Sequence, residues 1–334
     1  MSSKIRIRIG DLTLENRFIL APMSGITNMP FRLIVKGFGA SLVTTEMISA
    51  KGLCYRQKRT YEYLIHMPEE SPISMQIFGS EPEIMADAAQ IAIKEGADII
   101  DINMGCPAKK VLKTGAGGYL LKDLKRAEQI IKAVRRVCDV PLTIKIRSGW
   151  SSGEPVALNI AKMAQDCGVD AITIHPRSVA QGFSGRADWS MIAKIKEKSN
   201  LTIIGSGDIF SARDAMDMIK RTGCDAVMIA RGAMGNPWIF RDVMALENGE
   251  DISPISLFER KKVMQEHYCL IKNFIGEKRA LRYIRGVFVR YAKGLPYSSH
   301  FREQVISIKG EDELMVLLNN YFFMLEEMSE GKGC

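Results

Sequence analysis

In Ala97-Asp98-Ile99-Ile100-Asp101-Ile102-Asn103-Met104-Gly105-Cys106-Pro107 a short apolar run gives way abruptly to a polar turn. The run is too short for a helix and suits a buried strand over 99–103. Gly105 lets the backbone turn. Pro107 fixes its own φ and pushes Cys106 into an extended conformation. Ala108-Lys109-Lys110 and Thr114-Gly115-Ala116-Gly117-Gly118 then continue as a long loop. A thiol held stiffly at the C-terminal end of a strand is a candidate acid or nucleophile. A lone Cys without such neighbours is more often a small buried residue, so the surrounding chain has to decide between the two.

The corner before this strand, Gly96-Ala97-Asp98, recurs as Gly168-Val169-Asp170 and Gly223-Cys224-Asp225. Each glycine suits a helix C-cap, and each corner announces a returning strand. Strands are predicted over 18–21, 41–45, 73–78, 99–103, 142–147, 171–175, 202–205 and 226–230. Helical periodicity lies between them over 30–36, 83–94, 124–137, 157–167, 189–198 and 212–221. Ile5 to Ile9 alternates apolar and basic residues ahead of Gly10-Asp11 and reads as a small leading hairpin.

Eight strands with helices between most of them, over roughly 240 residues, indicate an α/β fold of the (β/α)8 TIM-barrel type. A doubly wound open sheet is the main rival. It would place Gly-x-Gly-x-x-Gly after the first strand, where this chain has Ala21-Pro22-Met23-Ser24-Gly25. Glu247-Asn248-Gly249-Glu250-Asp251 reads as a polar linker, and from Ser256 onward only helical periodicity remains. The expected division is a catalytic barrel over 1–246 and a C-terminal all-helical domain over 247–334.

Apolar residues make up 46% of the chain and charged residues 25%, as in a soluble globular protein. The formal net charge of +8 admits an anionic partner without demanding one. Seven Cys, scattered without CxxC or other metal spacing, argue for reduced thiols and against a disulfide scaffold or a zinc site. The start of the chain shows no apolar leader, and no run of about 18 apolar residues is present. A cytoplasmic monomer with no membrane span and no metal is expected.

In a barrel, function lies at the C-terminal ends of the strands. Those positions hold Pro22-Met23-Ser24, Glu46, Gln76, Asn103, Cys106, Lys145, Arg147, His175, Arg177, Ser206-Gly207-Asp208 and Ala230-Arg231-Gly232. Strand ends are often polar because they meet solvent, but this many in register point to one site. After the seventh and eighth strands, small residues let backbone N–H groups approach a phosphate, and Arg231 adds charge. Gln76 and Lys145 are expected to reach a ring carbonyl or nitrogen from opposite walls. Together these residues suggest a phosphorylated planar cofactor, with Cys106 facing it across a substrate gap.

Asn16-Arg17-Phe18-Ile19-Leu20-Ala21-Pro22-Met23 looks like the opening of flavin barrels generally. Met75-Gln76-Ile77-Phe78-Gly79, Asp101 to Pro107, Lys145-Ile146-Arg147-Ser148-Gly149-Trp150, His175-Pro176-Arg177, Ser206-Gly207-Asp208-Ile209 and Arg231 to Trp238 together resemble the tRNA-dihydrouridine synthases, most of all their bacterial B-type branch. The resemblance covers nearly the whole chain. It implies an FMN enzyme, reduced by NADPH, that reduces the C5–C6 double bond of uridine in tRNA. Hydride from reduced FMN would go to C6, and Cys106 would match the cysteine that protonates C5. FMN contacts would fall on Pro22, Met23, Ser24, Gln76, Lys145, His175, Ser206, Gly207, Asp208, Ala230 and Arg231. Asn103 and Arg177 match residues near the substrate base and RNA. Ser206 stands where the family usually has Asn, and Ala230 where Gly is usual.

Between Lys272 and Lys309 nine Lys/Arg face two Glu, a surplus of +7. At about 100° per residue, Arg279, Arg282, Arg290 and Lys293 share one helix face, opposite Leu281, Ile284, Phe288 and Tyr291. Such a face can simply be solvated; with the resemblance, it is expected to bind RNA backbone. A small-molecule flavin barrel such as a dihydroorotate dehydrogenase would share the barrel and the loop Cys but have no use for a basic helical domain. An RNA-binding module on an inactive barrel would carry no flavin.

Overall fold

A computed structural model describes residues 5–153 and 155–330. The alternating start forms an antiparallel hairpin, β1 (Ile7–Ile9) and β2 (Leu12–Leu14). β3 (Phe18–Leu20) and β4 (Leu42–Thr44) follow, then the two-residue β5 (Ile48–Ser49). β6 (Ile73–Phe78), β7 (Ile99–Met104), β8 (Leu142–Arg147), β9 (Ala171–His175), β10 (Thr202–Ser206) and β11 (Ala226–Ile229) complete the sheet. All neighbours are parallel, and the sheet closes because β11 pairs with β3 while β4 pairs with β6. β5 extends the line of β4 along β6: β4 meets Ile73 and Ser74, and β5 meets Ile77 and Phe78. The result is the closed eight-stranded parallel barrel that the alternation predicts.

Helices α1 (Met29–Gly37), α2 (Ala50–Cys54), α3 (Lys58–Tyr61), α4 (Pro82–Lys94), α5 (Lys109–Leu112), α6 (Leu124–Val137), α7 (Ala157–Asp166), α8 (Ser190–Lys198), α9 (Ala212–Thr222) and α10 (Ile239–Glu247) belong to the barrel. No element is predicted between 46 and 72, where β5, α2 and α3 lie. The Gly-x-Asp corners have a use beyond helix capping. Asp98 accepts the Ile73 N–H, Asp170 the Leu142 N–H and Asp225 the Ile203 N–H, at 2.7–2.8 Å. Each carboxylate thereby ties the start of its own strand to the start of the preceding one, and the device repeats around the barrel floor.

Beneath the strands, Ile7, Ile9 and Leu14 of the hairpin pack on Ile19, Leu42, Ile99 and Ile204 and close the N-terminal end. Each fully buried side chain of this kind contributes about 1.5–3 kcal/mol. The active end at the top is left open.

α11 (Leu257–Ile275), α12 (Glu277–Tyr291), α13 (Ser298–Ser307) and α14 (Glu311–Glu330) enclose a second core around Tyr268, Ile284, Phe288, Phe301 and Phe322. Trp238 joins the two cores. It is fully buried between Phe38 and Tyr291, and its indole N–H donates to Glu259 at 2.9 Å. At Gly235, with φ of 71°, a Cβ would lie 2.5 Å from the Arg290 carbonyl carbon. Any side chain there would push α12 off the barrel. The Tyr283 hydroxyl also reaches the Ile26 carbonyl. α12 is therefore fixed against the loops after β3 and β11, at the open end. Among the described residues no helix is long and apolar enough to cross a membrane, and no cluster of His, Cys, Asp or Glu could hold a metal.

Candidate active site

A cavity of about 590 Å³ opens at the C-terminal ends of the barrel strands, a size suited to a small-molecule ligand. Pro22, Met23, Ser24, Gln76, Asn103, Cys106, Lys145, His175, Ser206, Gly207, Asp208, Ala230 and Arg231 all line it. These residues come from seven of the eight barrel strands and the loops after them.

The loop after β7 is held from several sides. Asn103 Oδ1 accepts the Gly105 and Cys106 N–H groups at 3.2 and 3.0 Å. The Cys106 carbonyl accepts the Gly118 N–H at 3.1 Å, and a Cβ on Gly117 would lie 3.2 Å from Cys106 Cβ. Arg147, only 3% exposed, donates to the carbonyls of Gly105, Ser178 and Gly182 at 2.9, 2.9 and 2.6 Å. Its guanidinium thus fastens the cysteine loop to the loop after β9. Burial pushes the Cys106 thiol above its usual pKa; the Ala108 N–H and the charge of Arg147 pull it back in part.

Under the cavity, Asn103 Nδ2 donates to Gln76 Oε1 at 2.7 Å and Gln76 Nε2 donates to Asp101 Oδ2 at 2.6 Å. Thr143 donates to the other oxygen of Asp101 at 2.6 Å. Lys145 makes no hydrogen bond or ion pair with a described residue; burial lowers its ammonium to about 8, with Asp101 holding it up and Arg147 pressing it down. Asn103 and Lys145 are register partners, and Gln76 lies one strand further along. Gln76 and Lys145 therefore approach from one wall, separated only by β7, and not from opposite walls. The facing wall is β3 and β11, with Pro22 and Ala230.

On the far side, a Cβ at Gly207 would strike the His175 ring at 2.7 Å, and one at Gly232 would come within 2.5 Å of the Ile209 carbonyl oxygen. The loops after β10 and β11 thus lie against their neighbours as bare backbone. The Ser206 hydroxyl donates to the Met228 carbonyl and so serves the sheet. Burial, then the surrounding Lys145, Arg147, Arg177 and Arg231, lower His175 to about 2, so the imidazole is neutral. Its Nε2 faces Arg177 Nη1 at 3.3 Å, which leaves the proton on Nδ1.

Arg177, expected near base and RNA, is not among the residues that line the cavity. It is 2% exposed, donates to the Ser184 and Gly185 carbonyls, and binds Asp208 through both carboxylate oxygens at 2.6 and 2.8 Å. A long cation after a strand reads as a ligand contact, but here it holds the loop after β9 against the loop after β10. Burial works upward on Asp208, but the Ala187 N–H, Arg177 and Arg231 outweigh it and keep the carboxyl below the usual range. Arg231 donates to the same carboxylate and lies between the exposed rings of Phe183 and Phe210, about 5 Å from each. The sequence reading assigned no part to these two aromatics or to Asp101 and Thr143. Asp101 and Thr143 meet only through the register of β7 and β8, which the sequence does not display.

Arg279, Arg282 and Arg290 are exposed on α12, and Lys293 is exposed two residues beyond its end. The surplus counted from 272 to 309 stops just short of Glu311, which pairs with Lys272. Arg285 is also engaged, donating to the Ile308 carbonyl. α12, which carries three of the four aligned cations, packs against the loops after β3 and β11, whose residues Ile26 and Met234 line the cavity.

Residues 19–325 match the family model described as "Dihydrouridine synthase (Dus)". The chain is 38% identical over 328 residues to tRNA-dihydrouridine synthase B of Pseudomonas aeruginosa, covering 98% of each chain. It is 39% identical over 317 residues to the protein of the same name from Salmonella typhimurium, covering 95% of this chain and 99% of that one. Among solved structures, histamine dehydrogenase from Rhizobium sp. 4-9 is similar with a TM-score of 0.54 at 13% identity, over 79% of this chain and 50% of that one. A variant of NCR from Zymomonas mobilis gives 0.54 at 16%, over 78% and 95%. Likeness at such low identity speaks to the barrel fold alone.

Proposed function

The chain belongs to the dihydrouridine synthase family, and from that premise we propose that it reduces the C5–C6 double bond of particular uridines in tRNA, with FMN in the barrel cavity and NADPH as reductant. The observation that carries this reading is the pairing, in one cavity, of a half-buried loop thiol with a lysine unpartnered among the described residues and a bare-backbone cradle. The residues fit an anionic planar group. Lys145 offers a cation with no partner among the described residues, Gln76 keeps a second amide hydrogen beyond its bond to Asp101, and Arg231 stands at the cradle.

Bound there, FMN would supply the hydride that adds at C6 of the base. Cys106 supplies the proton to C5, because burial keeps its thiol protonated at neutral pH. The Ala108 N–H and Arg147 then receive the thiolate left behind. Asn103 holds the loop backbone on which the thiol rides. The target base must leave its stack to reach a pocket at the top of a barrel. In this division the barrel does the chemistry and the helical half binds RNA through α12, in a cytoplasmic monomer.

The purified protein should be yellow and release FMN, and RNA given NADPH should gain dihydrouridine. Lys145→Ala should weaken FMN affinity on the order of 10-fold or more, since a hydrogen bond to a charged group contributes about 1.5–3 kcal/mol. Arg231→Ala should cost less, because its side chain is 39% exposed and solvent screens it. Titration of the stripped full-length protein with FMN, followed by flavin fluorescence, checks both. Unchanged affinity in both variants would remove the cofactor from this cavity.

A further inference from the structure

We propose that Asp101 is a positioning residue: from beneath the cavity it sets the direction of a hydrogen-bonded amide chain that holds the Cys106 loop in place. The inference rests on the proposed role of Cys106 as proton donor and goes beyond it. The chain runs from loop to floor with a single allowed polarity. The Gly105 and Cys106 N–H groups both point at one atom of the Asn103 amide, so that atom must be oxygen. The other atom is then nitrogen and donates, so the Gln76 atom it meets at 2.7 Å must be Oε1. Gln76 is left with Nε2 toward Asp101, and an acceptor is required at Oδ2, 2.6 Å away. The Thr143 hydroxyl, donating at 2.6 Å, holds the opposite carboxylate oxygen.

Asp101, Gln76, Asn103 and Thr143 are all less than a tenth exposed, so water does not readily replace a missing partner. Without an acceptor at position 101, Gln76 gains nothing from its present orientation. Its amide is free to flip, and a flipped Gln76 presents N–H groups to the Asn103 N–H. Asn103 can answer only by turning its own amide, which withdraws the oxygen from the Cys106 loop. Asp101 touches neither the thiol nor the cavity surface, so its effect on the Cys106 loop passes through the two amides. Its charge also acts on Lys145, and for that reason the alkylation rate is read beside turnover, on protein already loaded with FMN.

Polarity can be reversed as well as broken, and that gives the test. Asp101→Ala removes the acceptor. Asn103→Asp keeps the bonds to Gly105 and Cys106 but sets oxygen against Gln76 Oε1. In the double variant D101N/N103D the whole chain can run the other way. The amide introduced at position 101 donates to Gln76 Oε1, and Gln76 Nε2 donates to the carboxylate introduced at position 103. That carboxylate still accepts from the loop. Two quantities are read on FMN-loaded protein: uridine reduction in tRNA, and the rate of Cys106 alkylation by iodoacetamide, located by peptide mass spectrometry. D101A should lower kcat by about 10²-fold, the cost of displacing a reacting group by roughly 1 Å, and should speed alkylation. N103D should likewise lower kcat and speed alkylation, and the double variant should return both toward the parental values relative to N103D. A D101A protein with parental kcat and alkylation, or a double variant no better than N103D alone, would overturn the assignment. If D101A fails to fold, the comparison of N103D with the double variant decides alone. A parent that alkylates normally but reduces no uridine would count against the proposed function, while the alkylation series still judges Asp101.

Discussion

Cys106→Ala should keep FMN and accept electrons from NADPH at the parental rate, yet lose uridine reduction by about 10²–10⁴-fold, the contribution of a positioned general acid. The thiol lines the cavity without being a wall of the cradle, so its loss leaves the cofactor face intact. What disappears is the proton for C5. Without it, hydride addition at C6 would leave a carbanion beside no suitable donor. The pH profile should bear the same mark. The protonated thiol is the active form, and burial raises its pKa above the usual cysteine value. Parental turnover should therefore persist through neutral pH and fall as pH rises through that raised pKa. The residual activity of the alanine variant should lack this alkaline limb. A variant that reduces uridine at the parental rate would remove Cys106 from the mechanism.

Changing Arg279, Arg282, Arg290 and Lys293 together to Gln should flatten the salt dependence of tRNA binding by about 3 in the slope of log affinity against log salt, at roughly 0.7–0.9 per phosphate contact. All four side chains are exposed, and Gly286 lies among them with nothing within 4 Å of where its Cβ would be. The face is thus flat at its middle and charged around it, which suits a phosphate backbone laid across α12. The opposite face, Leu281, Ile284, Phe288 and Tyr291, is buried and unaltered, so the helix should still pack. Arg279 also donates to the Ile275 carbonyl at the end of α11, and its loss should cost a little stability without loosening the barrel. FMN content and NADPH oxidation should not change. Parallel salt slopes for parent and variant would mean a merely solvated face and would move the RNA to the rim around Lys109 and Lys110.

The barrel was legible because its signals are local. β6, β8 and β9 carry apolar runs bounded by Gly-x-Asp corners or turns, and they form with the predicted limits. The corner aspartates read as punctuation, but their bonds to the preceding strand depend on register, which no single strand reveals. The cavity lining was legible for the same reason: position at a strand end is a local property. Partnership was not. Arg177 and Arg231 look alike in sequence, each a cation after a barrel strand. Only packing shows that Arg177 is buried against Asp208 and two carbonyls, while Arg231 stays at the mouth between Phe183 and Phe210. The charge surplus of the helical half likewise needed the fold, since Lys272 meets its partner Glu311 only across helices.

The most direct measurement is nucleoside mass spectrometry on tRNA transcribed without modifications and incubated with the purified protein and NADPH. Dihydrouridine, uridine plus two hydrogens, is expected at one or a few positions, to depend on NADPH, and to be nearly lost with Cys106→Ala. A flavin-loaded protein that oxidises NADPH but leaves every uridine in such tRNA unreduced would contradict the proposed function.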